Sequence, residues 1–135
     1  MRSSYIPIQS RIGTAGEYLV CSDLCLMGYS ATLASAAEAY DIIVDLGGIL
    51  KTVQVKTRSS GNPKYSFSLV SASRIIEDGH RIRTFMKTDA VDYVALVALD
   101  RKKIRYYKME ELITEEGHRK SITLAPEDFI ECEGL

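Results

Sequence analysis

Three polar residues in the middle of the chain could together place a metal ion next to the ammonium group of a lysine. Asp41 opens a short segment rich in β-branched residues, and Gln54 and Lys56 lie two apart in the next such segment. Because successive side chains of a strand point to opposite faces, Gln54 and Lys56 share one face. Gly47-Gly48 signals a hairpin between the segments, and about six residues on each side of it would bring Asp41 beside Gln54.

Hydrolysis of a phosphodiester uses groups of this kind. A hard divalent cation such as Mg²⁺ takes oxygen ligands from one or two carboxylates, carbonyls and water, polarises the phosphate and lowers the pKa of its bound water. A lysine nearby can orient the attacking water and offset the charge of the transition state. The spacing alone also fits an exposed acid and lysine on an ordinary hairpin. Since buried lysines are uncommon unless paired or functional, the β-branched neighbours of Lys56 favour the functional interpretation.

A helix is predicted before the hairpin, over residues 10–27. Ser10 suits an N-cap and Gly28 a stop signal. Its semi-apolar face is predicted from three- and four-residue spacings to contain Ile12, Ala15, Leu19, Ser22 and Leu26.

Two glycines, Gly13 and Gly16, are unusual inside this helix, since each costs about 1 kcal/mol relative to alanine. Close approach of the helix backbone to another element or to a ligand would explain them. Glu17 follows Gly16 directly, so such an approach could bring its carboxylate to the sheet.

The remaining elements indicate one α/β domain over residues 1–135. Strands are predicted at 41–46, 49–57, 65–70, 93–99 and 104–107, the fourth of them apolar enough for a sheet centre. A short helix is predicted at 109–116 and a helical turn at 126–129. Residues 71–88 are the least regular and could form a loop with a helix. Short apolar runs and a polar start predict a cytoplasmic protein without a membrane span.

Basic residues are concentrated in two segments, although the formal net charge is −1. Residues 51–87 contain eight lysines and arginines against two acids, and residues 101–108 contain five basic residues and no acid. Such asymmetry can present a basic surface to a phosphate backbone, although accidental clustering on a solvated surface explains it equally well. The candidates for phosphate contacts are Arg58, Lys64, Arg74, Arg81 and Arg83.

Four motifs along the chain carry a family resemblance: Gly16-Glu17, Tyr40 to Asp45 with Gly47-Gly48, Val53-Gln54-Val55-Lys56-Thr57, and the strand Val91 to Val97. Together they resemble the PD-(D/E)XK nuclease superfamily, and more narrowly the group I intron-encoded homing endonucleases that use a QxK variant of the last motif. The resemblance spans roughly residues 12–107 and matches poorly over 71–88. It implies a restriction-endonuclease-like core, a mixed β-sheet flanked by helices.

The resemblance implies Mg²⁺- or Mn²⁺-dependent cleavage of double-stranded DNA. Asp41 would be the central metal ligand, Gln54 would coordinate in place of the usual acid, and Lys56 would position the water. The Val55 carbonyl would be a further ligand, and Glu17 would hold a metal or its water. Asp45, on the same strand face as Asp41, is the alternative acid.

A single site cuts one strand, so a nuclease of this size is expected to act as a homodimer or homotetramer. A homing-type enzyme is the first expectation. A Holliday-junction-resolvase-like nuclease is the second, and a non-catalytic DNA-binding module on the same core is the third, motivated by the neutral Gln54. A structural protein whose hairpin matches the motif by chance is the plainest alternative.

Overall fold

A five-stranded mixed sheet occupies the centre of the fold in a computed structural model that describes residues 5–35, 38–75, 81–85, 90–114 and 117–135. For 70–75, 81–85, 114 and 118 only the backbone is described. The regular elements are helix α1 (Ile8–Leu26) and strands β1 (Ser30–Leu33), β2 (Ile42–Asp45), β3 (Leu50–Arg58), β4 (Tyr65–Ser68), β5 (Val70–Ile75), β6 (Arg81–Phe85), β7 (Tyr93–Ala98), β8 (Lys103–Lys108), β9 (Ile113–Thr114), β10 (Gly117–His118) and β11 (Ser121–Leu124).

The central sheet has the strand order β1-β2-β3-β7-β8. Only β3 and β7 pair in parallel; the other three pairs are antiparallel. All six residues of β7 are buried, as predicted for a sheet centre, because both of its faces are covered. The mixed sheet and its flanking helix confirm the predicted fold class.

Helix α1 covers one face of the sheet through a different stripe from the predicted one. Its buried residues are Gly16, Val20 and Leu24, at successive four-residue spacings. The predicted face was wrong: Ala15, Ser22 and Leu26 are exposed, and Leu19 is only half-buried. Glycine carries no hydrophobic signal, so the pattern alone could not show that a glycine marks the line of contact.

The second face of the sheet is covered by a β-ribbon rather than by an α-helix. Strands β4 and β11 pair antiparallel and alternate buried and exposed residues. Tyr65 and Phe67 of β4 both pack edge-on against Phe129, with ring centroids of Tyr65 and Phe129 5.4 Å apart. Two 3₁₀ helices, Met109–Leu112 and Pro126–Asp128, complete this layer. Strand β11 and the two-residue strands β9 and β10 were not predicted. In place of the helix predicted over 109–116, the described residues form the four-residue 3₁₀ helix Met109–Leu112 followed by β9.

Residues 71–88 form a hairpin in the parts that the structure describes. Strands β5 and β6 pair antiparallel between Val70–Ile75 and Arg81–Phe85, with a register shift between Val70 and Ala72. The expected helix is therefore absent from 71–75 and 81–85, and the rest of the segment lies outside the described residues. Across the described residues, no helix has the length and apolar character needed to cross a membrane.

Leu24→Ala should lower the free energy of unfolding by about 2–5 kcal/mol, because Leu24 is fully buried between α1 and the sheet. Leu26→Ala is a matched control on the same helix, since Leu26 is 86% exposed, and it should change stability by no more than about 0.5 kcal/mol. Urea unfolding followed by circular dichroism measures both. Equal losses in the two variants would contradict this packing of α1.

Candidate active site

The carboxylate of Asp41 lies where β2 begins and is fixed by two hydrogen bonds from β3. The main-chain N–H of Val55 donates to Asp41 Oδ2 over 2.8 Å, and Gln54 Nε2 donates to the same oxygen over 2.9 Å. The backbone of Asp41 is held on both sides: its N–H donates to Val53 O and its carbonyl accepts from Ala34 N–H. The side chain therefore has one well-defined orientation.

The hairpin register places Asp41 opposite Gln54, as the spacing predicted. Ile42 pairs with Val53 and Asp45 with Leu50 across the two strands. Gly47 and Gly48 both have positive φ, 69° and 100°, which a two-residue type I′ turn requires. The turn is closed by a hydrogen bond of 2.8 Å from Leu46 N–H to Ile49 O.

The alternative acid, Asp45, lies at the other end of this hairpin. Its Oδ1 accepts a hydrogen bond of 2.6 Å from Gly48 N–H and so supports the turn. It lies four positions after Asp41 along the strand, which corresponds to about 13 Å. Asp45 is thus too far away to share one ion with Asp41.

Strand alternation brings Gln54 and Lys56 to the face of β3 away from α1. Val53 and Val55 pack in the cluster beneath the helix, and Gln54 and Lys56 are half-buried on the opposite face. The N–H and C=O of one strand residue point to the same side. Because Val55 N–H points to Asp41, the Val55 carbonyl also faces the β2 side, past the first residue of that strand.

Glu17 reaches the same region from α1. It is half-buried, one residue after the point where the helix backbone lies against β3. Burial raises the pKa of Glu17, and the negative charge of Asp41 raises it further. The structure thus joins Gln54 to Asp41 by a hydrogen bond, and it places Glu17 and Lys56 where the charge of Asp41 shifts the pKa of each.

Partial burial disfavours the charged forms of Asp41 and Lys56. Burial raises the pKa of Asp41, an effect partly offset by the Val55 N–H and by the Lys56 ammonium. Burial lowers the pKa of Lys56, while the negative charge of Asp41 opposes that shift. Groups whose pKa values are shifted by burial and by one another are typical of functional sites.

The donor set fits a hard divalent cation. Two carboxylates, an amide oxygen and a main-chain carbonyl are the oxygen ligands that Mg²⁺ and Mn²⁺ accept. Positive charge at this point would also stabilise the ionised forms of Glu17 and Asp41, which burial and mutual repulsion now disfavour. Within the described part of the chain, no three acidic, histidine or cysteine side chains cluster, so any ion must rely on Gln54 or the carbonyl as well.

The basic residues predicted to contact phosphate lie at the end of β3, just before β4 and in the β5–β6 hairpin. Arg58 is the exposed last residue of β3, two positions after Lys56, and Lys64 is exposed just before β4. In the β5–β6 hairpin, Arg81 pairs with Ile75, Arg83 with Ser73 and Arg74 with Ile82. The side chains of those three arginines lie outside the described residues.

Sequence reasoning missed Asp92, which anchors β7 to β3. Asp92 Oδ2 accepts from Thr52 N–H over 2.9 Å, and Thr52 Oγ1 donates to Ala90 O over 2.7 Å. Asp92 N–H in turn donates to the Thr52 carbonyl. An acid immediately before an apolar strand is the sequence signal for such an anchor, but its partner lies forty residues away.

Comparison with known proteins finds a matching family and solved structures of similar fold. A sequence model of the PD-(D/E)XK endonuclease family matches residues 8–128. Among solved structures, the bacterial homing endonuclease I-Ssp6803I is similar, with a TM-score of 0.75 and 17% identity over 88% of this chain and 79% of that one. Archaeoglobus fulgidus Hjc, a Holliday junction resolvase from an archaeal hyperthermophile, has a TM-score of 0.51 and 18% identity over 87% and 86%. No curated protein sequence matches significantly.

Asp41→Asn should lower the pKa of both Glu17 and Lys56. It removes a negative charge that raises the pKa of Glu17 and that partly offsets the lowered pKa of Lys56. Titration of the side-chain ¹³C signals by NMR measures both values in metal-free protein. Asp45→Asn is the matched control and should leave them unchanged. If the pKa of Glu17 is the same in Asp41→Asn as in the wild type, the two carboxylates do not interact.

Proposed function

The chain belongs to the PD-(D/E)XK endonuclease family, and from this premise we propose that it hydrolyses phosphodiester bonds of double-stranded DNA with Mg²⁺ or Mn²⁺. The observation that carries the proposal is the convergence of two carboxylates, an amide and a lysine at the start of β2, with the pKa of each ionisable group shifted. A hairpin that matched the motif by chance would have no reason to place three partly buried charged groups near one another.

The metal ligands in this proposal are Glu17, Asp41, Gln54 and the Val55 carbonyl. Both hydrogen bonds to Asp41 end on Oδ2, so Oδ1 is the oxygen that would bind a cation. Gln54 donates through Nε2, so its Oε1 is the atom that remains for coordination. When bound, the ion would polarise the scissile phosphate and lower the pKa of a water molecule.

Lys56 positions the attacking water and offsets charge at the phosphate in this proposal. It lies on the same strand face as Gln54, two residues further along. Burial lowers the pKa of Lys56, and the negative charge of Asp41 opposes that shift and so favours the ammonium form. A charged lysine held in a partly dry site stabilises developing negative charge more strongly than one in water.

A homing-type enzyme that recognises a duplex target is the first assignment, since the fold is more similar to I-Ssp6803I than to Hjc. Arg58 and Lys64 would contribute phosphate contacts beside the site, and Arg74, Arg81 and Arg83 would do so from the hairpin. Cleavage of both strands would require two copies of this single site, in a homodimer or homotetramer. A junction-resolving enzyme is the second assignment.

Lys56→Ala should reduce Mg²⁺-dependent DNA cleavage by roughly 100-fold or more while DNA binding is retained. Plasmid DNA and a synthetic four-way junction, each with Mg²⁺ or with EDTA, report both activity and substrate preference. Lys120→Ala, which removes an exposed lysine, is the matched control for charge. DNA binding without cleavage by the wild type in Mg²⁺ and Mn²⁺ would favour the non-catalytic module instead.

Gln54→Glu should tighten Mg²⁺ binding, on the order of tenfold, because a carboxylate replaces a neutral ligand. The same substitution should lower the stability of the metal-free protein, since it places a second negative charge beside Asp41. Calorimetric titration with Mg²⁺ and thermal unfolding in EDTA measure the two effects. Gln54→Ala, which should weaken binding, is the control. Unchanged affinity in both variants would exclude Gln54 as a ligand.

A further inference from the structure

Helix α1 lies closest to the sheet at Gly16. A methyl group on this residue would collide with Thr57 Oγ1 and would lie 2.9 Å from both Cβ and Cγ2 of Thr57. Such separations are too short for non-bonded carbon atoms, whose optimum is about 3.5–4.0 Å. A methyl group on Gly13, one turn earlier on the same helix, would meet no atom within 4 Å. Only the second of the two helical glycines is therefore required by packing in the described structure.

The residue opposite Gly16 is polar where an apolar one would be expected. Thr57 Oγ1 is buried and has no hydrogen-bond partner among the described residues. A buried hydroxyl without a partner is unfavourable, and valine has almost the same shape. The oxygen atom is smaller than the methyl group of valine, however, so it allows the helix to lie closer to β3.

The height of α1 above β3 determines where Glu17 lies. A helical residue points about 100° away from its neighbour around the axis. With Gly16 directed at β3, Glu17 is directed beside the strand, where the charge of Asp41 acts on it. Movement of the helix away from β3 would carry the Glu17 carboxylate away from Asp41 and from the oxygen ligands of β3.

We propose that Gly16 and Thr57 are positioning residues, whose contact holds α1 close enough to β3 for Glu17 and Asp41 to bind one metal ion. The role rests on the proposed function, because it assumes that Glu17 is a ligand. Neither residue needs to touch the ion or the DNA. They act only through the separation of two backbones.

The test is Mn²⁺ binding by metal-free, DNA-free protein, followed by the electron paramagnetic resonance signal of the unbound ion. Gly16→Ala should weaken binding about 10- to 100-fold, the usual cost of disturbing a group that orients a metal ligand. Gly13→Ala should leave the affinity unchanged and raise the melting temperature slightly, because alanine favours helix and meets no obstacle. Thr57→Val, a milder change, should weaken binding while the protein remains folded.

Removal of the Thr57 side chain gives the rescue experiment. In the double variant Gly16→Ala/Thr57→Gly, the added methyl occupies the space left by the threonine side chain. Mn²⁺ affinity should return to within a few-fold of that of Thr57→Gly alone, and a loss due only to the changed helix propensity would not be rescued.

Three outcomes would overturn the assignment. Wild-type affinity in both Gly16→Ala and Thr57→Val would exclude a positioning role while leaving the proposed function intact. Weakened binding in Gly16→Ala that Thr57→Gly does not restore would show that the Gly16–Thr57 contact is not the cause. No Mn²⁺ binding by the wild type would overturn the proposed function, and the positioning role with it.

Discussion

The hydrogen bonds that Asp41 Oδ2 accepts from Val55 N–H and Gln54 Nε2 are the interaction on which the site depends. Strand β2 begins at Ile42, so the Val55 N–H has no strand partner beyond it and is satisfied by a side chain instead. The same carboxylate therefore completes the edge of β3 and provides the charge at the centre of the cluster. Its position is fixed by backbone pairing, which is more rigid than side-chain packing alone.

Around this point the fold brings groups together from separate elements at an electrostatic cost. The two carboxylates repel each other, and burial disfavours the charged form of each group, Lys56 included. This unfavourable electrostatic energy is offset by the packing of the sheet. Helix α1 covers one face, and the β4–β11 ribbon covers the other. A divalent cation would remove much of the repulsion, which is why a site of this kind is expected to be stabilised by its own cofactor.

The two faces of the sheet have different tasks. The α1 face sets the distance of Glu17 through the Gly16–Thr57 contact, and the opposite face buries Tyr65, Phe67 and Phe129. Tyr65 also donates a hydrogen bond of 2.7 Å to Asp100 at the end of β7. The aromatic layer thus holds the carboxyl end of the central strands, toward which β3 carries Lys56 and Arg58.

The hairpin, its register and the side chains that share its faces could be predicted from the sequence, because two glycines and a two-residue period specify them locally. The sequence also indicated α1 and the buried strand β7. The buried stripe of α1 could not be predicted in this way, because Gly16 gives no hydrophobic signal and lies against Thr57, forty-one positions away. Likewise, the Thr52–Asp92 anchor and the β4–β11 pairing join distant segments, and no local pattern encodes such a partner.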